Sequence, residues 1–286
     1  MWTDRTGRVE GRIGDDALYE NPRLSPDGKR VAFFKADGGG DIWVTDLERS
    51  TTMRLTLDPA TDNIPVWSPD GKRIAFVSNR SGVFDIYLKS ADGSGDEQLL
   101  LKTPHRKRLN DWSTDGRYLL YEEQDPVSGD DLWVLPFFGD QRPLRIMETR
   151  SNKRSAAFSP DGRWIAYTSD ESGAGQVYVG TFPGSGSKWQ IGPSGDPIWR
   201  RDGRELFFAN NGLQMAVDVT GTGPVGPLKF GQPRVFFDAL TNLQPHPYDV
   251  TPDGKHFLLV TDRLSGDDSG SKPIVVVLNW MSGMRQ

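Results

Sequence analysis

The stretch Ser25-Pro26-Asp27-Gly28-Lys29 recurs along the chain and decides how the chain is organised. Close copies begin at Ser68, Ser113 and Ser159, and weaker copies surround Asp202 and Asp253. The aspartates of the six copies lie at positions 27, 70, 115, 161, 202 and 253, so they are 43, 45, 46, 41 and 51 residues apart. A period of this length indicates an array of equivalent structural units.

The chemistry of the repeated motif is that of a tight turn between two strands. Pro26 sets the φ angle suited to the second position of such a turn, and Asp27 can accept a hydrogen bond from the backbone two residues on. Gly28 supplies the positive φ that lets the chain reverse. Apolar residues flank each copy. We therefore interpret the repeated aspartates as structural rather than catalytic.

Each period also contains four short apolar segments. In the second period they are Ile64–Trp67, Ile74–Val77, Asp85–Leu88 and Gln98–Leu101. Short strands at this spacing, separated by turn residues, predict an all-β fold. A four-stranded antiparallel sheet cannot bury both faces alone, so the units are expected to stack around an axis. The prediction is a six-bladed β-propeller.

We place all 286 residues in a single propeller domain. The predicted blades cover residues 14–57, 58–101, 102–147, 148–192, 193–237 and 238–280. In the last blade the third strand is predicted at Ile274–Val277, and the fourth is missing. Residues 1–13 are expected to supply it through Val9–Ile13, which closes the ring and removes an exposed sheet edge.

Composition excludes several classes of function. The net charge of −5, from 34 basic and 39 acidic residues, gives no general attraction to nucleic acid or to an anionic membrane. The absence of cysteine excludes disulfides, thiol nucleophiles and cysteine-based zinc sites. No apolar run approaches the ~20 residues of a membrane-spanning helix. We expect no membrane insertion by this chain, no nucleic-acid partner and no cofactor.

The candidate ligand site lies at one mouth of the central channel. We label the strands of a blade A to D, from the channel outward, and expect ligands on the face that carries the D–A and B–C loops, because loops vary freely on a rigid scaffold. Basic and amide side chains are concentrated there. The candidate binding residues are Arg106, Arg108, Arg150, Lys153, Arg154, Asn63 and Asn110. A solvated loop surface of mixed charge is the alternative.

Catalytic motifs are absent from the sequence. No serine occupies a Gly-x-Ser-x-Gly elbow. Gly221–Gly226 has the glycine spacing of a dinucleotide-binding fingerprint, but no helix is expected after it, so we do not interpret it as a phosphate-binding loop. His105 and His246 fall on D–A loops about three blades apart, and they are the only weak candidates for a metal site. We therefore expect that the chain is not an enzyme.

Residues Trp67 to Gly82, followed by Asp85-Ile86-Tyr87 and preceded by Arg54-Leu55-Thr56, closely resemble the TolB-type, WD40-like propeller repeat. This resemblance implies a β-propeller, and in the Tol–Pal member a periplasmic protein that binds a lipoprotein. Phe137-Phe138-Gly139-Asp140 and the closing Val277-Leu278-Asn279-Trp280 are similar to the C-terminal propeller of bacterial membrane-anchored serine/threonine kinases. That similarity implies a sensor region.

Together these patterns predict a binding or sensor module that recognises a protein, a peptide or a small ligand at the channel mouth. One alternative is a propeller enzyme, a hydrolase or lyase acting on a glycan or peptide with a metal in the channel. A structural spacer within a larger sensor is another. The expected location is periplasmic if the chain is a module of a membrane-anchored protein, and cytoplasmic otherwise, because its first residues contain no signal-peptide core.

Overall fold

The structure is a computed structural model. It describes residues 1–14, 17–36, 39–127, 129–147, 151–184, 186–193, 195–221, 226–238 and 247–260. Within these ranges all regular elements are β-strands. None of the described segments forms a helix with the length and apolar character needed to cross a membrane.

The described strands form six antiparallel sheets, which are the blades. The chain begins with β1 (Trp2–Asp4) and β2 (Val9–Gly11). Blade 1 contains β3 (Tyr19–Leu24), β4 (Arg30–Lys35), β5 (Asp41–Asp46) and β6 (Thr51–Arg54). Blade 2 contains β7 (Asp62–Trp67), β8 (Arg73–Ser78), β9 (Asp85–Ser90) and β10 (Gln98–Leu101). Blade 3 contains β11 (Lys107–Trp112), β12 (Tyr118–Asp125), β13 (Gly129–Pro136) and β14 (Leu144–Ile146).

Blade 4 contains β15 (Lys153–Phe158), β16 (Trp164–Ser169), β17 (Gln176–Thr181) and β18 (Lys188–Pro193). Blade 5 contains β19 (Gly195–Trp199), β20 (Glu205–Asn210), β21 (Leu213–Thr220), β22 (Lys229–Phe230) and β23 (Arg234–Asp238). Both β22 and β23 pair with β21, so the outer strand of this blade is in two pieces. Blade 6 contains β24 (Tyr248–Val250) and β25 (His256–Leu259), joined by β1 and β2 in the order β2-β1-β25-β24. The predicted six-bladed all-β architecture is confirmed.

The repeated motif forms the A–B turn of each blade, as its sequence predicts. In blade 1 the Ser25 hydroxyl donates to Asp27 Oδ1 at 2.6 Å, and the Arg30 amide donates to Ser25 Oγ at 2.9 Å. Gly28 has a φ of 71°. In blade 2 the equivalent Ser68 hydroxyl and the Lys72 amide lower the pKa of Asp70. The aspartates are therefore occupied in holding the turns.

Adjacent blades pack face to face through apolar side chains. Between blades 2 and 3, Val77 and Ile86 pack with Leu109 and Leu119 in one buried cluster. Trp67, Trp112 and Trp199, which end inner strands, and Trp164, which begins β16, are buried in these layers, while Trp43 and Trp133 are partly buried and pack against them. The Trp67 indole also donates to the carbonyl of Arg23 in the neighbouring blade at 2.9 Å. These tryptophans are therefore part of the scaffold.

The first residues of the chain close the ring, but they contribute two strands rather than one. β1 takes the third position of blade 6 by pairing with β25, and β2 takes the outer position. The prediction that Ile274–Val277 fills the third position is therefore wrong, and those residues lie outside the described part of the chain. Trp2 explains the pairing, because it is buried in a cluster with Tyr19, Val31 and Leu258.

Polar contacts add to this closure. The terminal ammonium of Met1 donates to the Leu259 carbonyl at 2.7 Å, and burial lowers its pKa. Arg5 forms an ion pair with the nearly buried Glu205 of blade 5 at 2.6 Å. The N-terminal segment thus contacts two blades at once.

We predict that a chain starting at residue 15 unfolds or aggregates, because the edge of β25 and the cluster around Trp2 become exposed. The point variant Trp2→Ala should lower the free energy of unfolding by about 3–5 kcal/mol, as expected for a buried aromatic side chain. The control Val9→Ala, at a position 52% exposed on β2, should change it by less than ~0.5 kcal/mol. Denaturant unfolding measures both variants. Similar small effects in the two would contradict the closure described above.

Candidate functional site

A cavity of about 320 Å³ opens at the channel mouth that carries the A–B turns, which we call the turn face. Turn residues Pro26, Pro69, Pro160 and Pro252 contribute to its rim. Arg201 also lies on the rim, where its guanidinium donates to the carbonyl of Pro26. This mouth is opposite the loop face, which carries the D–A and B–C loops and was expected to bind the ligand.

In each blade, the second-to-last residue of the inner strand lines this cavity. In blades 1 to 6 these residues are Arg23, Val66, Asp111, Ala157, Ile198 and Asp249. Blades 3 and 6 are opposite in a ring of six, so Asp111 and Asp249 face each other across the channel, while Ala157 and Ile198 form an apolar side. The wall is therefore half charged and half apolar.

Both carboxylates are held by backbone amides of two neighbouring blades. Asp111 accepts from the amides of Trp112 and Phe158, each at 2.8 Å. Asp249 accepts from the amides of Val250 and Leu24 at 2.8 and 2.7 Å. Each carboxylate oxygen has accepted one hydrogen bond and retains capacity for another. The two side chains are therefore fixed in place but not saturated.

The electrostatics of the cavity are those of two carboxylates with one nearby cation. Burial raises the pKa of Asp111 to about 6, and the charge of Asp249 contributes to the rise. Burial also raises the pKa of Asp249. Arg23 lowers the pKa of both, which places its guanidinium within electrostatic reach of each carboxylate. Deep in the cavity, negative charge exceeds positive charge when both aspartates are ionised.

Arg23 and Asn110 connect blades 1, 3 and 4 at the wall of the cavity. Arg23 donates from a guanidinium nitrogen to the Asn110 carbonyl at 3.2 Å, and Asn110 Oδ1 accepts from the Ala156 amide at 3.1 Å. The Asn110 side chain also forms a hydrogen bond with Glu122, which lowers the pKa of that carboxyl group. Nε of Arg23 is buried and lacks a hydrogen-bond partner within the described structure.

Local backbone geometry explains why Asn110 differs from its equivalents. In blades 1, 2, 4 and 5 the inner strand contains a bulge at a residue with positive φ: Asn21 (52°), Ile64 (52°), Ser155 (48°) and Asp196 (55°). In blade 3 the irregularity falls between Leu109 and Asp111 instead. Bulges redirect side chains, so this shift gives Asn110 a different environment.

A second cavity of about 230 Å³ lies between blades 4 and 5 on the turn face. We call it the side groove, and its apolar lining comes from Pro160, Trp164, Trp199 and Leu228. The buried indole nitrogen of Trp164 has no hydrogen-bond partner among the described residues. Ser159, Pro160 and Trp199 line both cavities, so the side groove adjoins the channel cavity.

On the loop face, the predicted cations are close to carboxylates. Arg154 forms an ion pair with the buried Asp130, and Arg108 lies 3.6 Å from Glu122 and 4.0 Å from Asp130. The Glu122 carboxylate also accepts from the Ser155 amide at 2.6 Å. Arg108 and Arg154 are thus brought together as the sequence indicates, but their charges are compensated within the protein. Ligand binding by them stays a prediction.

The other predicted residues are dispersed. Lys153 is buried, with its ammonium 3.0 Å from the Ser151 carbonyl and 3.6 Å from Asp131. Arg106 stacks over the Phe84 ring at 4.9 Å. Asn63 accepts from Asn21 in the neighbouring blade at 2.8 Å. Arg150 lies outside the described residues, and only Asn110 of the predicted set lines the channel cavity.

The histidine candidates do not form a described metal site. His105 Nδ1 lies 3.2 Å from Glu123 and 3.8 Å from Asp125, whereas His246 lies outside the described residues. In the part of the chain that the structure describes, no group of three or more His, Cys, Asp or Glu side chains is arranged to hold a metal ion. Asp85, at the start of β9, accepts from the buried Lys107 of the next blade at 2.7 Å, so this carboxylate is engaged in a contact between blades.

The comparisons with known proteins agree with this architecture. Residues 15–130 match the model of the TolB beta propeller domain. A solved structure described as a putative TolB from Agrobacterium tumefaciens has a TM-score of 0.64 and 21% identity, with 84% of this chain and 88% of that chain covered. An oligogalacturonate lyase in complex with manganese has a TM-score of 0.62 and 13% identity, covering 93% and 78%. At such identities the structures show a shared fold. The TolB-type resemblance is confirmed for the matched part of the chain.

A relative from Bacillus subtilis (strain 168), named "Uncharacterized peptidase YuxL", is 26% identical over 207 residues. The match covers 56% of this chain and 31% of the relative, so the chain spans about a third of that protein's length. This relative overturns the expectation that the chain is not an enzyme, because the matched protein is named as a peptidase. The absence of a Gly-x-Ser-x-Gly elbow had suggested otherwise, but that absence concerns only this chain.

We predict that Glu122 weakens the fold as the pH rises from about 4.5 to about 7. Burial raises its pKa to about 7, so the folded state binds more protons in this window than the unfolded state, and stability falls with increasing pH. Glu122→Gln should therefore raise the melting temperature at pH 8 and change it little at pH 5. The control Glu48→Gln, at an exposed pair with Lys29, should be neutral at both. A lower melting temperature for Glu122→Gln at pH 8 would show that its ion pair with Arg108 dominates instead.

Proposed function

We propose that the chain is a binding propeller that recognises an extended peptide segment at the turn face. The carrying observation is that the channel cavity and the side groove adjoin each other at Ser159, Pro160 and Trp199. An extended segment could lie along the side groove and enter the channel. A compact small ligand would need only one of the two cavities.

The chemistry of this surface suits a peptide backbone. Aromatic and proline side chains offer flat apolar contact, as in grooves that bind extended segments in other domains. The carboxylates of Asp111 and Asp249 line the channel cavity, and each of their oxygens can accept a further hydrogen bond from a backbone N–H group of a ligand.

A peptidase-associated role is the second candidate, favoured by the named peptidase relative. Since this chain spans about a third of that protein, it would be the part that selects or admits peptides, and the chemistry would be performed elsewhere. This role uses the same cavity and the same class of ligand. A sensor role in a membrane-anchored protein, with an extracytoplasmic location, is the interpretation suggested by the kinase-type resemblance and stays a prediction.

The test measures retention of a random hexapeptide-amide pool, lacking acidic and basic side chains, on immobilised protein by mass spectrometry. We expect Ala157→Phe to lower retention by about tenfold or more, because the added ring occupies part of the channel cavity. The matched variant Arg108→Gln alters the loop face and should retain the pool as the unmodified protein does. Glutamine is preferred to glutamate there, because glutamate would add a third carboxylate beside Glu122 and Asp130.

Melting curves of both variants show whether each is folded. Loss of retention with Arg108→Gln but not with Ala157→Phe would assign the site to the loop face. If the unmodified protein and both variants all fail to retain the pool, peptide binding is contradicted.

A further inference from the structure

We propose that the turn face recognises the free carboxyl end of a peptide, with the terminal carboxylate on Arg201 at the rim and the last side chain in the channel cavity. This inference rests on the proposed peptide binding and names the part of the peptide that reaches the channel. It requires a cation that is available to bind a carboxylate, an apolar space beneath that cation and a path for the rest of the peptide.

The second residue of the repeated turn motif lines the rim of the cavity in all six blades. It is proline in blades 1, 2, 4 and 6, threonine in blade 3 and arginine in blade 5. The threonine, Thr114, donates from its hydroxyl to the Pro160 carbonyl of the neighbouring blade at 2.7 Å. In blade 5 the turn is held by Arg200, which donates from Nε to Asp202 at 2.7 Å. The long cationic side chain of Arg201 is therefore not needed to form the turn.

Arg201 supplies the cation. Its side chain is exposed, and one guanidinium nitrogen donates to the Pro26 carbonyl, which is a neutral acceptor. Within the described residues Arg201 forms no ion pair, whereas Arg200 beside it contacts both Asp202 and Glu205. A guanidinium group has five N–H donors, so Arg201 can keep its contact with Pro26 and still donate two hydrogen bonds to a carboxylate.

The charges beneath the rim determine the orientation of such a ligand. Asp111 and Asp249 line the cavity wall with Arg23 close to both, so the wall is negative when both aspartates are ionised and repels a carboxylate from the interior. On the apolar side of the cavity, Ile198 precedes Arg201 by three positions, which is at most about 10 Å of extended chain. The last side chain of a peptide can therefore lie against the apolar side while the carboxylate on the same α-carbon stays at the rim.

The remainder of the peptide has a path away from the channel in the side groove. This groove adjoins the channel cavity at Ser159, Pro160 and Trp199, and its lining is largely apolar. A peptide that lies in the groove and ends at the channel needs no second exit. An acidic side chain in the middle of a peptide would need a path for the chain on both sides of Arg201. The arrangement therefore favours a free carboxyl end over an internal acidic residue.

The experiment compares two random hexapeptide pools without acidic or basic side chains, one with a free carboxyl end and one with an amide end. We expect the unmodified protein to retain both, and the free form about tenfold more than the amide form, because an amide end carries no charge to pair with Arg201. Equal retention of both forms, lost with Ala157→Phe, would overturn this inference and leave peptide binding intact. Retention of neither form would overturn both.

Two matched variants assign the preference to Arg201. Arg201→Gln should reduce the ratio of free to amide peptide towards one. Arg204→Gln removes the same charge from an exposed position in the same turn, outside the lining of the cavity, and should leave the ratio unchanged. Because the readout is a ratio, a partial loss of folded protein affects both forms equally. An unchanged ratio with Arg201→Gln would show that Arg201 does not bind the carboxylate.

A third pool tests whether the end itself is recognised. It carries an amide end and one internal glutamate, and should be retained no better than the amide pool. Retention as strong as that of the free form would show that Arg201 binds an acidic side chain, and would overturn recognition of the carboxyl end. Peptides retained from the free form should be enriched in apolar last residues, because the last side chain lies beside Ala157 and Ile198. Lack of this enrichment would contradict that placement.

Discussion

The burial of both faces of every blade against its neighbours is the constraint on which the structure depends. A four-stranded sheet with two apolar faces is covered only when identical sheets stand on either side, so the array must close on itself. Closure is completed by residues about 250 positions apart, where Trp2 of β1 pairs with Leu258 of β25. The inner strands then surround the channel, and one residue per blade faces the channel instead of packing between blades. That position can carry Asp111 in one blade and Val66 in another without disturbing the layers.

The parts of the fold that repeat were predictable from the sequence, because each is specified by local chemistry. The Ser-Pro-Asp-Gly turns and the four apolar segments of each period define the blade without reference to distant residues. The strand that pairs with β25 was not predictable in this way. Ile274–Val277 and Trp2–Asp4 are both plausible strands, and the choice between them depends on a cluster formed with Tyr19 and Val31. Such contacts have no local signature.

The site was harder to predict, because charge in a sequence does not show its partners. The sequence alone suggests a basic patch at Arg108 and Arg154. In the structure the carboxylates of Glu122 and Asp130, which lie on other strands, compensate their positive charges. Asp111 and Asp249 are hard to recognise in the sequence for a related reason, since each lies close to a repeated turn motif and resembles an exposed turn residue. The sequence nevertheless contains a signal: the second residue before the repeated turn motif is charged in blades 1, 3 and 6 and apolar in blades 2, 4 and 5.

The two mouths of the channel differ in what a ligand must displace. At the loop face an anion would have to compete with carboxylates already in contact with the arginines, and separating such pairs leaves buried charge without a partner. At the turn face each carboxylate oxygen of Asp111 and Asp249 accepts one hydrogen bond and has capacity for another, so a ligand need not break an ion pair there. The carboxylates of Asp111 and Asp249 are oriented by backbone amides that stay in place when a ligand enters. Binding there requires little rearrangement of the protein, so more of the interaction free energy contributes to affinity.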